Sequence, residues 1–221
     1  MPRKKIDTFL TLLDFDLQEK RTLIRVIRLS VYFFILLFLV LGLWAITKHY
    51  GASTFAEGGA VENMQLALVL ISSFIFLNES TRNTLYRPLL LFFATLTLFA
   101  FIREQDAFFE KNIPLISWKF AWFFPLLGAW NLFKKRKDFK KIIFSFLNSL
   151  AFQLMFMAMI VFIPLAQCIG HRSFIENAVG QTDNLSHIRR LIEESMELMA
   201  YALILLSSIE MRWIIPSKKK K

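Results

Sequence analysis

LSVYFFILLFLVLGLWAIT, residues 29–47, decides the class of this chain, because nineteen consecutive positions carry no charged side chain. A helix rises about 1.5 Å per residue and the hydrocarbon core of a bilayer is about 30 Å thick, so a stretch of this length reads as a membrane span. The composition around it agrees. Of 221 residues, 56% are hydrophobic and 25 are phenylalanine, more apolar surface than a soluble domain of this size can bury.

Five further stretches come close to the same criterion. They are 61–77 (VENMQLALVLISSFIFL), the charge-free run Pro88 to Ile102, 118–133 (WKFAWFFPLLGAWNLF), 142–166 and a last one from Leu191 to Pro216. The fourth is the shortest and contains Pro125, which predicts a kink. The reading is an all-α, polytopic membrane helix bundle of about six transmembrane helices. It divides into a cytoplasmic amphipathic N-terminal segment (1–27), the bundle (28–216) and a basic tail (217–221).

Basic residues set the orientation, since Lys and Arg are retained on the cytoplasmic side during insertion. With six spans, 20 of the 27 basic residues fall on the side of the termini, including the run KKRKDFKK at 134–141 and the four terminal lysines. Ten of the 17 acids fall opposite. Both termini are therefore expected in the cytoplasm, in a plasma membrane or bacterial inner membrane. The net charge of +10 is explained by this asymmetry and by attraction to anionic lipid. The basic inner face also offers a docking surface to a cytosolic protein. Nucleic acid is not implied, because no aromatic or polar base readers are interleaved with the basic residues.

The amino terminus does not read as a cleavable signal, since MPRKK precedes a mixed segment and the first apolar run is too long. Ile6, Phe9, Leu10 and Leu13 recur at helical spacing and predict a short interfacial helix. Asp16 and Glu19 have the spacing of a capping box, which starts the first long helix near Leu17. The single cysteine, Cys168, excludes an intrachain disulfide and a Cys-based zinc motif. Gly-rich phosphate loops, the G-x-S-x-G elbow and H-E-x-x-H are absent.

The chemistry concentrates at the outer ends of three spans. FIREQDAFFE (101–110) closes the third apolar run with Arg103, Glu104, Asp106 and Glu110. Counting about 20 residues from the inner boundary puts Arg103, Glu104 and Asp106 at the outer edge of the bilayer, with Glu62 and Glu193 near the same level and Glu197 a turn inside it. Glu62 and Gln65 share a helical face, as do Glu193 and Glu197, and Glu194 and Glu197, with Tyr201 a turn further. An ionised side chain facing lipid costs on the order of 3 kcal/mol or more, so these faces are expected to meet.

Acids exceed their basic partners in this group, which implies proton uptake, a bound cation or water access. The expected function is a small membrane protein whose outward cluster of Glu62, Gln65, Arg103, Glu104, Asp106, Glu193, Glu194 and Glu197 binds a cation or polar ligand, in transport, sensing or as a membrane subunit. The alternative is a membrane enzyme, such as a metal-dependent hydrolase, acting on a lipid or lipid-linked substrate at the outer leaflet. Its essential acids would be Glu104 and Glu197, with Arg103 as the anion anchor and Glu62 and Gln65 as positioners. His49, His171 and His187 all fall on the outer side, which admits a divalent metal, although their spacing matches no ligand motif. Membrane lipids are the implied partners, and a homo-oligomer is compatible with so small a bundle.

Overall fold

The computed structural model describes residues 16–56, 58–105, 118–134, 136–180 and 184–214. Segment 1–15, Glu57, Asp106, Glu110 and the terminal lysines lie outside the described residues. Every regular element within them is helical. In chain order these are α1 (Leu17–Tyr50), a 3-10 turn (Gly51–Phe55), α2 (Ala60–Arg82), α3 (Arg87–Glu104), a second 3-10 turn (Trp118–Trp122), α4 (Phe123–Lys134), α5 (Arg136–Leu147), α6 (Leu150–Ile160) with a π-helical continuation (Val161–Ala166) and a last short turn to Ile169, α7 (Arg172–Val179) and α8 (Leu185–Ile214).

Three helical stretches are long and apolar enough to cross a membrane: Gln18–Phe55, Ala60–Arg82 and Leu150–Ile169. The chain divides into two units, Met1–Lys48 and His49–Lys221. In the first, α1 begins where the capping-box spacing places it, with the Asp16 amide donating to Glu19 Oε2 at 2.8 Å. Its apolar side chains are largely exposed, Phe33, Phe34, Phe38 and Trp44 among them, a surface suited to hydrocarbon rather than water.

In the second unit, α2 and α3 form a pair closed by Asn83, whose side-chain oxygen accepts from the amides of Leu85 and Tyr86, and Pro88 opens α3 where a missing N–H costs nothing. The core is phenylalanine-rich. Phe76, Phe93 and Phe146 interlock at centroid distances of 5.5 and 5.2 Å, backed by Leu89, Leu90, Met155 and Met211. α8 packs on α2 and on α6, where Ser207 Oγ donates to the Ala151 carbonyl at 2.8 Å, the close approach that small residues permit. α4 lies against α3 at Gly128, where an added Cβ would strike the Thr95 side chain and the Phe92 Cα.

Two expectations are corrected here. Pro125 does not kink a span; it stands in the first turn of α4, where the chain has just left the 3-10 turn, and helix starts tolerate proline. The run 142–166 is not one helix. It breaks at Asn148 and Ser149, whose side chain caps α6 by accepting from the Phe152 amide at 3.2 Å, and it widens to π geometry around Pro164. A proline cannot donate to the carbonyl one turn back, and the open ladder is accommodated by the wider turn.

A second ion-pair group lies at the far ends of α2 and α8. The Glu79 side chain, 6% exposed, accepts from Arg212 Nε at 2.9 Å and from Arg82 at 3.5 Å, whereas the two arginines are about half exposed. The asymmetry predicts unequal substitutions. Arg212→Met leaves a buried carboxylate with only the longer contact to Arg82 and is expected to lower stability by about 2 kcal/mol. Glu79→Leu releases two arginines that already reach the surface and is expected to cost less. Unfolding of both variants in mixed micelles checks this order; a larger loss for Glu79→Leu would refute it.

Candidate functional site

The ends of α2 and α3 and the first half of α8 carry a polar cluster inside an otherwise apolar unit. α3 delivers Arg103 and Glu104 in its last turn. α8 delivers Glu194, Glu197 and Tyr201, spaced so that they share one face. α2 delivers Gln65, which is fully buried.

The hydrogen bonds form a chain across these helices. One guanidinium nitrogen of Arg103, Nη2, donates to Glu104 Oε1 at 2.9 Å and to Glu197 Oε1 at 3.3 Å. Tyr201 donates its hydroxyl to the same Glu104 oxygen at 2.6 Å. The amide nitrogen of Gln65 donates to the Glu194 carbonyl and to Glu194 Oε2, both at 3.0 Å. The Arg103 guanidinium lies 5.0 Å above the Phe162 ring, which stands 5.5 Å from the Tyr201 ring. Phe162 belongs to the π-helical turn, so the local widening of α6 is what carries an aromatic face to the cluster.

Two features set this cluster apart from a simple ion-pair clamp. Arg103 bonds two of the three carboxylates, Glu104 and Glu197, while Glu194 is held by Gln65, and the described bonds use one oxygen of each. The second feature is an orphan: Gln65 Oε1 is buried and has no hydrogen-bond partner. Flipping the amide does not help, because both partners of its nitrogen are oxygens and would then face an oxygen. Leaving such an acceptor unsatisfied costs about 1–3 kcal/mol, which a donor supplied from outside the chain would recover. Thr54 Oγ1, in the 3-10 turn that packs against α2 and α8, is also buried and unpartnered.

Of the residues singled out in the sequence, Gln65, Arg103, Glu104, Glu194 and Glu197 come together. Glu62 does not join them. Its Oε2 accepts from the Gly58 amide at 2.6 Å, a cap completed at a glycine with φ of 72°, so the helix start claims the side chain. Glu193 pairs with Arg189 one turn back along α8, at 3.4 Å. Asp106 lies outside the described residues. His171 is a helix cap, its Nδ1 accepting from the Ser173 amide, and His49 and His187 are exposed. Among the described residues no group of three His, Cys, Asp or Glu side chains is placed to hold a metal ion.

What sequence reasoning missed is the aromatic side. Phe162 lies in a continuous apolar run, and only Pro164 two positions later hinted at an irregular turn. Glu79 was legible only as one of several acids expected on the side of the termini, although Arg212 near the end of the last apolar stretch offered a partner. No protein-family model, curated protein or solved structure matches this chain.

Proposed function

We propose that the chain is a multi-pass membrane protein of six spans with both termini in the cytoplasm, and that the cluster of Gln65, Arg103, Glu104, Glu194 and Glu197 binds a cation or a cationic polar ligand from the outer side. The observation that carries the binding reading is the buried, unpartnered Gln65 Oε1, on a side chain bonded to Glu194, in the same cluster as Glu104 and Glu197, which share Arg103. An amide oxygen among carboxylates attracts positive charge and hydrogen-bond donors and repels anions. The role that follows is capture of such a ligand, for transport, for sensing or as a membrane subunit.

The six-span reading has support beyond the three long helices. α3 supplies 18 residues with charges confined to its ends. The 3-10 turn Trp118–Trp122 and α4 have a combined contour of about 28 Å, at 2.0 and 1.5 Å per residue. α8 has 30 residues, length enough to cross with its acids near one boundary. α5 fits the inner interface, with Ile142 and Phe146 buried and Lys140 and Lys141 exposed toward anionic lipid or a cytosolic partner. A reporter inserted after Lys111 is expected to read as outside the cytoplasm, and a cytoplasmic signal there would overturn the map together with the outward placement of the cluster.

Binding is tested by thermal unfolding of the purified protein against Na+, K+, Mg2+, Ca2+ and ethanolammonium. Stabilisation that saturates with one of them supports the reading; no response to any sinks it. A second reading rests on the shared bond of Glu104 and Glu197 to one Arg103 nitrogen, which would suit a general acid and base in an enzyme acting on a lipid or lipid-linked substrate. Turnover of such a substrate that vanishes when either carboxyl is replaced would favour it.

A further inference from the structure

We propose that Arg82 and Arg212, gathered on the buried Glu79 carboxylate, bind the phosphate of a phospholipid whose headgroup carries no positive charge, such as a glycerol headgroup. The pair lies at the opposite end of α2 and α8 from the acidic cluster, and the proposal does not depend on the cation reading. The six-span map adds only that the leaflet is the inner one.

The arrangement starts from an acid that solvent hardly reaches. Glu79 stands on α2 where it packs on α8, with its side chain 6% exposed. Its Oε1 lies 2.9 Å from Arg212 Nε and 3.5 Å from Arg82 Nη1, so one oxygen draws two guanidinium groups together from two helices. Arg212 is engaged through Nε alone. Its Nη1 and Nη2, and Nη2 of Arg82, have no partner among the described residues. The two arginine side chains are 48% and 61% exposed, which leaves these donors open to a group from outside the chain. Two arginines against one carboxylate also leave a surplus of one positive charge. A phosphate answers both features, because its free oxygens accept parallel bonds from guanidinium groups and its charge balances the surplus.

The surroundings select a lipid as the source of that phosphate. Arg82 is the last residue of α2, a helix long and apolar enough to cross a membrane, so the pair stands where such a helix meets the headgroup layer. Trp213 follows Arg212 in sequence and is of the type that collects at this level. Ile71 and Phe74, 49% and 68% exposed, precede Arg82 by three and two turns of α2 and present an apolar surface to acyl chains. A phospholipid uses the arginines and this surface together, and a basic site between membrane helices is where anionic headgroups are held. A choline headgroup carries the same phosphate but adds a trimethylammonium group, which the surplus charge opposes. With a contribution of about 1 kcal/mol per basic residue near the membrane surface, the glycerol headgroup is expected to be preferred about fivefold.

The experiment uses the full-length protein in nanodiscs holding equal amounts of glycerol-headgroup and choline-headgroup phospholipid with the same acyl chains. Native mass spectrometry of the released protein counts the lipids of each kind that stay bound. Expected is a preference of about fivefold for the glycerol headgroup in the wild type. Arg82→Gln removes the surplus charge at an exposed side chain and should bring the ratio to about one. Lys140→Gln/Lys141→Gln, which removes two exposed charges of α5, should leave it unchanged. Glycerophosphate in large excess should not displace the lipid, since it has no acyl chains. Equal retention of the two lipids by the wild type would overturn the proposal, and so would a preference that survives Arg82→Gln. A preference lost equally in the double lysine variant would reduce it to the general attraction of a basic face and overturn the site. Displacement by glycerophosphate would assign the arginines to a soluble phosphate and overturn the lipid. The wild-type comparison and the displacement stand whether or not either variant folds, and failure in any arm leaves the acidic cluster at the other end untouched.

Discussion

Arg103→Met is expected to be among the most destabilising single substitutions in the chain, at about 3 kcal/mol. One nitrogen of Arg103 bridges Glu104 and Glu197, whose side chains are 11% and 8% exposed. Without it two carboxylates stand together in a nearly dry site with only the Tyr201 hydroxyl left to one of them. Breaking a buried pair by removing one partner costs about 3–5 kcal/mol, and the lower end applies because the Arg103 side chain is a third exposed. The loss comes from the stranded charges and not from the missing packing. It should therefore be recovered by at least half when Glu104→Gln and Glu197→Gln are added, since amides leave no charge behind and still accept from Tyr201. Unfolding of the single and triple variants in mixed micelles checks both statements. A triple variant no more stable than Arg103→Met would mean that the arginine acts through its contact with Phe162 rather than through its charge.

Much of this architecture was legible because it is periodic. Charge-free runs announce α1, α2 and α3, and the Asp16 and Glu19 spacing announces the start of α1 to the residue. The convergence of Gln65, Arg103, Glu104, Glu194 and Glu197 followed from two regularities, a common depth and helical spacing, together with the cost of turning an ion toward lipid. The rest was hidden for local reasons. The break at Ser149 sits inside an apolar run, where a serine that caps a helix and one that packs inside it look alike in sequence. The π-helical turn depends on how the ladder relaxes around Pro164, which no hydropathy pattern encodes. Glu62 shared the depth and the spacing but was drawn to its own helix start, where the Gly58 amide is a nearer partner than any group in the bundle. Glu193 was drawn in the same way to Arg189. Depth tells which acids can meet, and local capping and i,i+4 pairing decide which of them do.

Replacing the carboxylates while keeping the arginine should have the opposite signature, with binding lost and the fold retained. In the double variant Glu104→Gln/Glu197→Gln, the amide oxygens still accept from Arg103 and Tyr201 at the positions now used by Glu104 Oε1 and Glu197 Oε1. Arg103 keeps its charge, yet with a third of its side chain exposed and its guanidinium over Phe162 it is not stranded as the carboxylates would be. Stability is expected to change by no more than about 1 kcal/mol. A cationic ligand, however, loses two charge-assisted hydrogen bonds and gains an unopposed positive neighbour. At about 1.5–3 kcal/mol for each bond, affinity should fall by at least about 100-fold. Calorimetric isotherms of the folded, inserted double variant beside wild type, with ethanolammonium and the metal ions as titrants, measure this directly. Wild-type affinity in the double variant would show that the carboxylates serve only to tie α3 to α8. Loss of affinity with an unchanged unfolding profile would assign their charge to the ligand, because the amides keep the hydrogen bonds that join α3 to α8 and remove only the negative charge that a cation needs.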